Sequence, residues 1–218
     1  MTREEVCARI AEIGIIPAVR VYSESEAMFA AEAIGGSGIP IVELTMTTPG
    51  AVDVIGQLTR YSTDMIVGAG TIFDVDTARR CLDAGASFLT SPGLDLEIVE
   101  FALKRGVAIL PGALTPSEVM AAWKAGADFV KVFPCSANGG PDYIRALKAP
   151  FPHIPLIASG GVTQKNAGDF ILAGAAALGI GGHLIHQNAI KRRQREWIHE
   201  LARRYMSMVS DARGQLAT

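Results

Sequence analysis

The stretch AGADFVKVFP, residues 125–134, contains the end of a predicted helix followed by a predicted strand, a pattern that recurs along the chain. Its glycine is typical of a helix end, because glycine adopts left-handed backbone at little steric cost. The β-branched and aromatic residues that follow are typical of a strand packed on both faces. The related phrases AGASFL at 84–89 and AGAAAL at 173–178 repeat the pattern. A recurring helix, glycine and strand predict parallel strands joined by helices.

Eight such strands can be assigned along the chain, each followed by a polar turn and an amphipathic segment. An additional helix at about residues 3–13 precedes them, and no linker or change in composition divides the chain. We therefore predict a single α/β domain over residues 1–218, a (β/α)8 TIM barrel with an extra N-terminal helix. An open doubly wound sheet is the competing architecture, but it requires a nucleotide-binding fingerprint near the first strand that this sequence lacks. The predicted strands cover residues 15–20, 39–45, 65–69, 88–90, 107–110, 129–133, 156–158 and 177–180.

Composition limits the classes of partner. The 218 residues include 20 basic and 22 acidic side chains, so the net charge of −2 gives no long-range attraction to nucleic acid or to an anionic membrane. We expect neither a signal peptide nor a membrane span. The three cysteines fit neither a disulfide framework nor a zinc site, and the histidines have no metal-ligand spacing. We expect a cytoplasmic protein with no metal and no cofactor.

Lys131 is unusual because it stands in the middle of an apolar strand. An ammonium group is costly to remove from water, and burial favours the neutral amine, which is a nucleophile. Side-chain alternation places Lys131 on the same face as Phe129 and Phe133. Covalent chemistry through an imine is one interpretation. The alternative is a structural lysine that pairs with a carboxylate or reaches water at the end of the strand.

Glu43 is the matching exception in the second strand, where it is the only acidic residue. A buried carboxylate is suited to proton transfer near neutral pH. Its alternative role is an ion pair with Arg20 at the end of the first strand. If Glu43 and Lys131 face a common lumen, they form an amine with an adjacent acid/base.

Glycine-rich turns follow the last two predicted strands, at residues 159–163 and 179–183. Glycine lets backbone N–H groups approach an anion closely, and this fold usually holds a phosphate at its seventh and eighth loops. Simple tight turns would also account for single glycine pairs. Two such turns at this place predict a site for a phosphate or another anion.

The motifs ELT at 43–45, VGAGT at 67–71, SPG at 91–93, LPG at 110–112, FVKVFP at 129–134, NGG at 138–140 and SGGV at 159–162 resemble the 2-dehydro-3-deoxy-6-phosphogluconate (KDPG) and 4-hydroxy-2-oxoglutarate (KHG) aldolase family. The resemblance extends from about residue 15 to 184. It implies a metal-free class I aldolase on a (β/α)8 barrel, typically a homotrimer. Lys131 then corresponds to the Schiff-base lysine and Glu43 to the acid/base. By the same resemblance Thr71 and Pro92 are expected to line the pyruvate pocket, and the other candidate substrate-binding residues are Arg20, Thr47, Phe133, Ser159, Gly160, Gly161, Gly181 and Gly182.

Several positions depart from the family pattern. Many members have an arginine that binds the substrate carboxylate where this chain has Thr47, whereas others have threonine there and an arginine that Arg20 matches. Arg20 is thus the candidate ligand for the carboxylate or the phosphate. Ser159 replaces a threonine of the usual phosphate loop, and Gly182 or His183 stands where a serine is usual.

The resemblance implies cleavage of a 2-keto-3-deoxy sugar acid, such as KDPG, to pyruvate and glyceraldehyde 3-phosphate, with a small-molecule substrate as partner. Alternative substrates are an unphosphorylated or dicarboxylic 2-keto acid such as 4-hydroxy-2-oxoglutarate. Two other classes of protein remain open on the residues alone. One is a sugar-phosphate isomerase or decarboxylase on the same barrel, and the other is a non-catalytic phosphosugar-binding barrel.

Overall fold

Parallel strands and helices alternate through residues 1–62 and 64–217, the part of the chain that a computed structural model describes. The strands are β1 (Ile15–Val19), β2 (Ile41–Thr45), β3 (Ile66–Gly70), β4 (Phe88–Thr90), β5 (Ala108–Leu110), β6 (Gly112–Ala113), β7 (Val130–Val132), β8 (Leu156–Ser159) and β9 (Ala175–Ile180). The helices are α1 (Arg3–Ile13), α2 (Glu24–Gly35), α3 (Ala51–Tyr61), α4 (Val75–Asp83), α5 (Leu96–Lys104), α6 (Pro116–Lys124), α7 (Pro141–Lys148), α8 (Ala167–Leu172), α9 (Gln187–Lys191) and α10 (Arg195–Leu216).

The strands form a ring in the order β5-β4-β3-β2-β1-β9-β8-β7-β6, with parallel pairing throughout. The two ends of this order, β5 and β6, are consecutive in the chain and are separated only by Pro111. Proline has no backbone N–H and interrupts a strand at that point. The pair therefore forms the fifth strand of an eight-stranded barrel, which closes the ring and confirms the predicted (β/α)8 fold with an extra N-terminal helix.

Side-chain caps set the starts of several helices. Ser23, Asp74, Asp95 and Thr115 each accept a hydrogen bond from a backbone N–H in the first turn of the helix that follows. These bonds satisfy backbone donors that have no partner within the helix. Pro49 predicts the start of α3, but the helix begins at Ala51, and Gly50 occupies the cap position in left-handed backbone.

The extra helix α1 is fixed to the N-terminal end of the barrel by Arg3. Its guanidinium Nε lies 2.9 Å from the carboxylate of Asp128, which also accepts a hydrogen bond of 2.9 Å from the backbone N–H of Ile109. Asp128 precedes β7, so the contact joins α1 to β5 and β7 at the end opposite to the carboxyl ends of the strands. None of the described helices is long and apolar enough to cross a membrane.

Candidate active site

A cavity of about 470 Å³ opens at the carboxyl ends of the strands, the end at which (β/α)8 enzymes perform their chemistry. It brings together all the candidate residues that the sequence predicts: Arg20, Glu43, Thr47, Thr71, Pro92, Lys131, Phe133, Ser159, Gly160, Gly161, Gly181 and Gly182. These residues come from seven of the eight barrel strands or the loops that follow them, so the site depends on closure of the ring.

Lys131 occupies the centre of β7, where it pairs with Gly112 of β6 and Ile157 of β8. Its side chain is 12% exposed, and its Nζ lies 3.9 Å from Glu43 Oε2 and 3.4 Å from Thr90 Oγ1. The Nζ is also 5.7 Å from the centre of the Phe133 ring. The amine is thus largely buried in the lumen, with one carboxylate and one hydroxyl beside it.

Glu43 extends from β2 and its side chain is only 5% exposed. Its carboxylate fits because β3 ends at Gly70, where a Cβ would overlap the carboxyl group of Glu43. Lys131, rather than Arg20, is its ion-pair partner, and Arg20 is exposed at the mouth of the cavity. The Arg20–Glu43 ion pair, the alternative role for Glu43, is therefore not formed.

Thr71 and Pro92 form one side of the cavity, at the ends of β3 and β4. Thr71 has a φ of 63°, which is unfavourable for a β-branched residue and is the kind of backbone strain found at functional sites. Gly112 on β6 leaves room for Pro92, since a Cβ there would overlap the backbone carbonyl of Pro92. This wall contacts the lysine through Thr90, the last residue of β4.

The opposite side of the cavity contains the glycine loops after β8 and β9. Gly160 and Gly161 have φ values of 83° and 85°, so both adopt a backbone that favours glycine. A Cβ on Gly182 would meet no atom within 4 Å, which leaves open space around the second loop. Arg20 follows β1, the neighbour of β9 in the ring, and supplies a guanidinium to the same side.

Sequence reasoning missed several residues that line the cavity or contact the lysine. Thr45 and Thr90 are the last residues of their strands, and their hydroxyls at strand ends were the available signal. Phe73, which is 65% exposed, lies at the rim, and an apolar residue in a polar turn was a weaker signal. His183, one of the two residues that could stand where the family usually has a serine, also lines the cavity.

Cys135 lies close to Lys131 in sequence but is fully buried. Burial raises the pKa of its thiol to about 12, so the thiol is protonated at neutral pH. The described residues contain no group of three or more histidine, cysteine or acidic side chains placed to hold a metal ion.

Comparison with known proteins connects this cavity to one family. Residues 6–201 match the family model described as KDPG and KHG aldolase. The 2-dehydro-3-deoxy-phosphogluconate aldolase of Pseudomonas aeruginosa is 34% identical over 171 residues, which cover 78% of this chain and 77% of that protein. The KHG/KDPG aldolase of Escherichia coli is 32% identical over 190 residues, covering 87% of this chain and 89% of the relative.

A solved structure gives the same relationship in three dimensions. The KDPG aldolase of Legionella pneumophila, crystallised with pyruvate captured at low pH as a covalent carbinolamine intermediate, superposes with a TM-score of 0.84. It is 30% identical, and the match covers 90% of this chain and 95% of that one. The chain therefore belongs to the KDPG and KHG aldolase family and is a lyase of the aldolase type.

Proposed function

We propose that this aldolase cleaves a 2-keto-3-deoxy sugar acid, such as KDPG, to pyruvate and an aldehyde through an imine on Lys131. The observation that carries the proposal is the pairing of a 12% exposed lysine with a 5% exposed glutamate at 3.9 Å inside the barrel. An amine in a dry site beside an acid/base is what imine chemistry requires. The carbinolamine in the Legionella pneumophila relative supports the same covalent route.

Imine formation begins with loss of the ammonium proton from Lys131, for which the carboxylate of Glu43 is the adjacent acceptor. The neutral Nζ then attacks the C2 ketone to give a carbinolamine, and loss of water gives a protonated imine. That cation accepts the electron pair of the C3–C4 bond far better than a ketone does.

Glu43 carries the protons in the following steps. Its carboxylate takes the C4 hydroxyl proton as the C3–C4 bond breaks, which releases the aldehyde and leaves an enamine on Lys131. Return of a proton to C3 converts the enamine to the pyruvate imine. Water then attacks this imine, frees pyruvate and regenerates the amine.

The walls of the cavity bind the two ends of the substrate. Thr71, Pro92 and Phe133 surround the pyruvate part next to Lys131, while Arg20 and Thr47 at the mouth offer a guanidinium and a hydroxyl to an anionic group. Ser159 and the glycines of the β8 and β9 loops offer backbone N–H groups and a hydroxyl to a phosphate. With KDPG, the aldehyde product is glyceraldehyde 3-phosphate.

A dicarboxylic substrate, 4-hydroxy-2-oxoglutarate, is the second candidate. The favouring observation is the β9 loop, where Gly182 provides no side-chain hydroxyl and His183 lines the cavity. A carboxylate accepts fewer hydrogen bonds than a phosphate, so the missing hydroxyl donor weakens the binding of a distal carboxylate less than that of a distal phosphate.

We further propose that residues 1–218 act as one domain in a cytoplasmic homotrimer. The three cysteines are free, which suits a reducing compartment. The trimer is carried over from the family resemblance, and sedimentation at several protein concentrations would test it.

The experiment that tests the proposed function measures pyruvate release from KDPG, from its unphosphorylated analogue and from 4-hydroxy-2-oxoglutarate with the same purified protein. The proposal predicts turnover of KDPG with the highest kcat/KM of the three. A higher kcat/KM for 4-hydroxy-2-oxoglutarate would select the second candidate. Absence of pyruvate release from all three would contradict the proposal and favour a binding protein.

A further inference from the structure

The segment that carries Arg20 has no regular structure, yet its backbone is held from three sides by polar side chains. Thr48 Oγ1 accepts a hydrogen bond of 3.3 Å from the N–H of Val21, and Glu26 accepts one of 2.9 Å from the N–H of Tyr22. The third contact comes from Gln187, whose Nε2 donates to the carbonyl oxygen of Arg20 at 3.0 Å. The first two contacts hold the residues after Arg20, and only the third of them acts on Arg20 itself.

Gln187 is separated from Arg20 by 167 residues and is the first residue of α9. The β9 loop that leads to it contains Gly181, Gly182 and His183, which line the active-site cavity. The contact therefore ties together two loops of the site, one that carries the guanidinium and one that carries the glycines. β1 and β9 are neighbours in the barrel, so this tie continues their pairing beyond the ends of the strands.

The chemistry of the contact fixes the orientation of the amide. A backbone carbonyl only accepts hydrogen bonds, so the NH₂ of Gln187 must face Arg20. Its Oε1 is buried and has no hydrogen-bond partner among the described residues. An amide in this orientation holds the carbonyl in place, whereas an oxygen at the same position would repel it.

We propose that Gln187 is a positioning residue for substrate binding: through the carbonyl of Arg20 it holds the guanidinium at the mouth of the cavity, where an anionic group of the substrate binds. This inference rests on the proposed function, because it takes Arg20 as a substrate ligand. Gln187 does not line the cavity and touches no reacting atom, so its effect is on KM rather than on kcat.

The test compares Gln187→Leu, Gln187→Asn and Gln187→Glu with Asn188→Asp as the matched control. Asn188 is the exposed next residue of α9, and its substitution adds the same charge as Gln187→Glu without any contact to Arg20. With KDPG as substrate, we expect KM to rise about fivefold for the leucine and asparagine variants and about tenfold for the glutamate variant. We expect kcat to stay within about twofold, and Asn188→Asp to match the parent.

A double-mutant cycle separates positioning from general loss of structure. In an Arg20→Ala background, Gln187→Leu should change KM by less than about twofold, because the guanidinium that Gln187 positions is gone. Thermal unfolding and the yield of the borohydride-trapped pyruvate adduct show that each variant is folded with an intact lysine. The same trapping assay gives the pyruvate concentration for half-maximal adduct formation in the Gln187 variants. An increase in that concentration places the guanidinium at the keto-acid carboxylate, and no change places it at the distal group. Both results support the inference.

An unchanged KM in all three Gln187 variants would overturn the inference, as would a Gln187→Leu effect that persists in the Arg20→Ala background. Failure of the proposed function would look different. The parent protein would then show no turnover and no pyruvate adduct, and both proposals would fall together.

Discussion

Lys131 and Glu43 belong to opposite strands of the barrel, and yet their charged groups lie 3.9 Å apart. With β5 and β6 counted as one strand, three strands separate β7 from β2 in either direction around the ring. Their approach is therefore a product of barrel closure, because an open sheet would hold them on distant strands. Burial of both side chains makes the pair an active-site candidate rather than a surface ion pair, which would contribute little.

Replacing Lys131 removes the nucleophile. Lys131→Met keeps most of the side-chain volume, so we expect turnover of KDPG to fall by at least about 10³-fold while the protein stays folded. Its thermal stability should be below that of the parent, because Glu43 is left as a buried carboxylate without its ion-pair partner. Lys104→Met, at an exposed position on α5, is the matched control and should retain parental activity. Comparable turnover in Lys131→Met and the parent would exclude the imine route.

Gly70 makes room for the acid/base, so a methyl group at this position should displace it. We expect Gly70→Ala to lower kcat by about 10²-fold, as a shift of about 1 Å in a catalytic group does. Gly56→Ala on α3 is the control, since its nearest neighbour is 3.9 Å from the new Cβ. That control should keep its activity and gain stability, up to about 1 kcal/mol. Equal kcat values for the two variants would show that Glu43 is not held by this packing.

The Arg3–Asp128 contact should stabilise the barrel without affecting its chemistry. Asp128 accepts from Arg3 Nε at 2.9 Å and from the Ile109 N–H at 2.9 Å, with its side chain 13% exposed. We expect Asp128→Ala to lower the free energy of unfolding by about 2–3 kcal/mol in urea titrations, because the N–H of Ile109 loses its partner. Arg3→Ala should cost about half as much. A fall in kcat of the folded variants would contradict this purely structural assignment.

The thiols should resist alkylation in the native state. Burial raises the pKa of Cys135 to about 12, of Cys7 to about 12 and of Cys81 to about 11. Iodoacetamide reacts with thiolates, so we expect negligible labelling at pH 8 and full labelling after unfolding in urea. In the folded protein these pKa values lie above that of an unfolded thiol, about 8.5. The thiols therefore contribute to the free energy of unfolding fully below about pH 8.5, and this contribution is lost as the pH rises towards 12. Rapid native labelling of Cys135 at pH 8 would contradict its burial.

The order of the strands and their approximate bounds could be predicted from sequence because both depend on local patterns. Phe88–Thr90 is observed with the predicted limits, since a glycine and a polar turn bound a short apolar run. The predicted fifth strand ended at residue 110, but β6 continues it after Pro111. Its continuation is stabilised by pairing of Gly112 with Lys131, a contact between distant segments that no local pattern reveals.

The site was predictable where a residue contradicts its local environment. Lys131 and Glu43 are the exceptions in apolar strands, and glycine-rich turns follow both of the last two predicted strands. Thr90 gives only a weak signal, a hydroxyl at the end of a strand, and Gln187 gives none, because a glutamine at a helix start is ordinary. Their contacts to Lys131 and Arg20 come from tertiary structure alone.

Imine formation between Lys131 and a 2-keto acid is the step on which the proposed mechanism depends, and reduction of that imine detects it. The protein is incubated with pyruvate, treated with borohydride, digested and analysed by mass spectrometry. We expect a single stable adduct on Lys131, absent without pyruvate and absent in Lys131→Met. No adduct, or an adduct on another lysine with Lys131 unmodified, would contradict it.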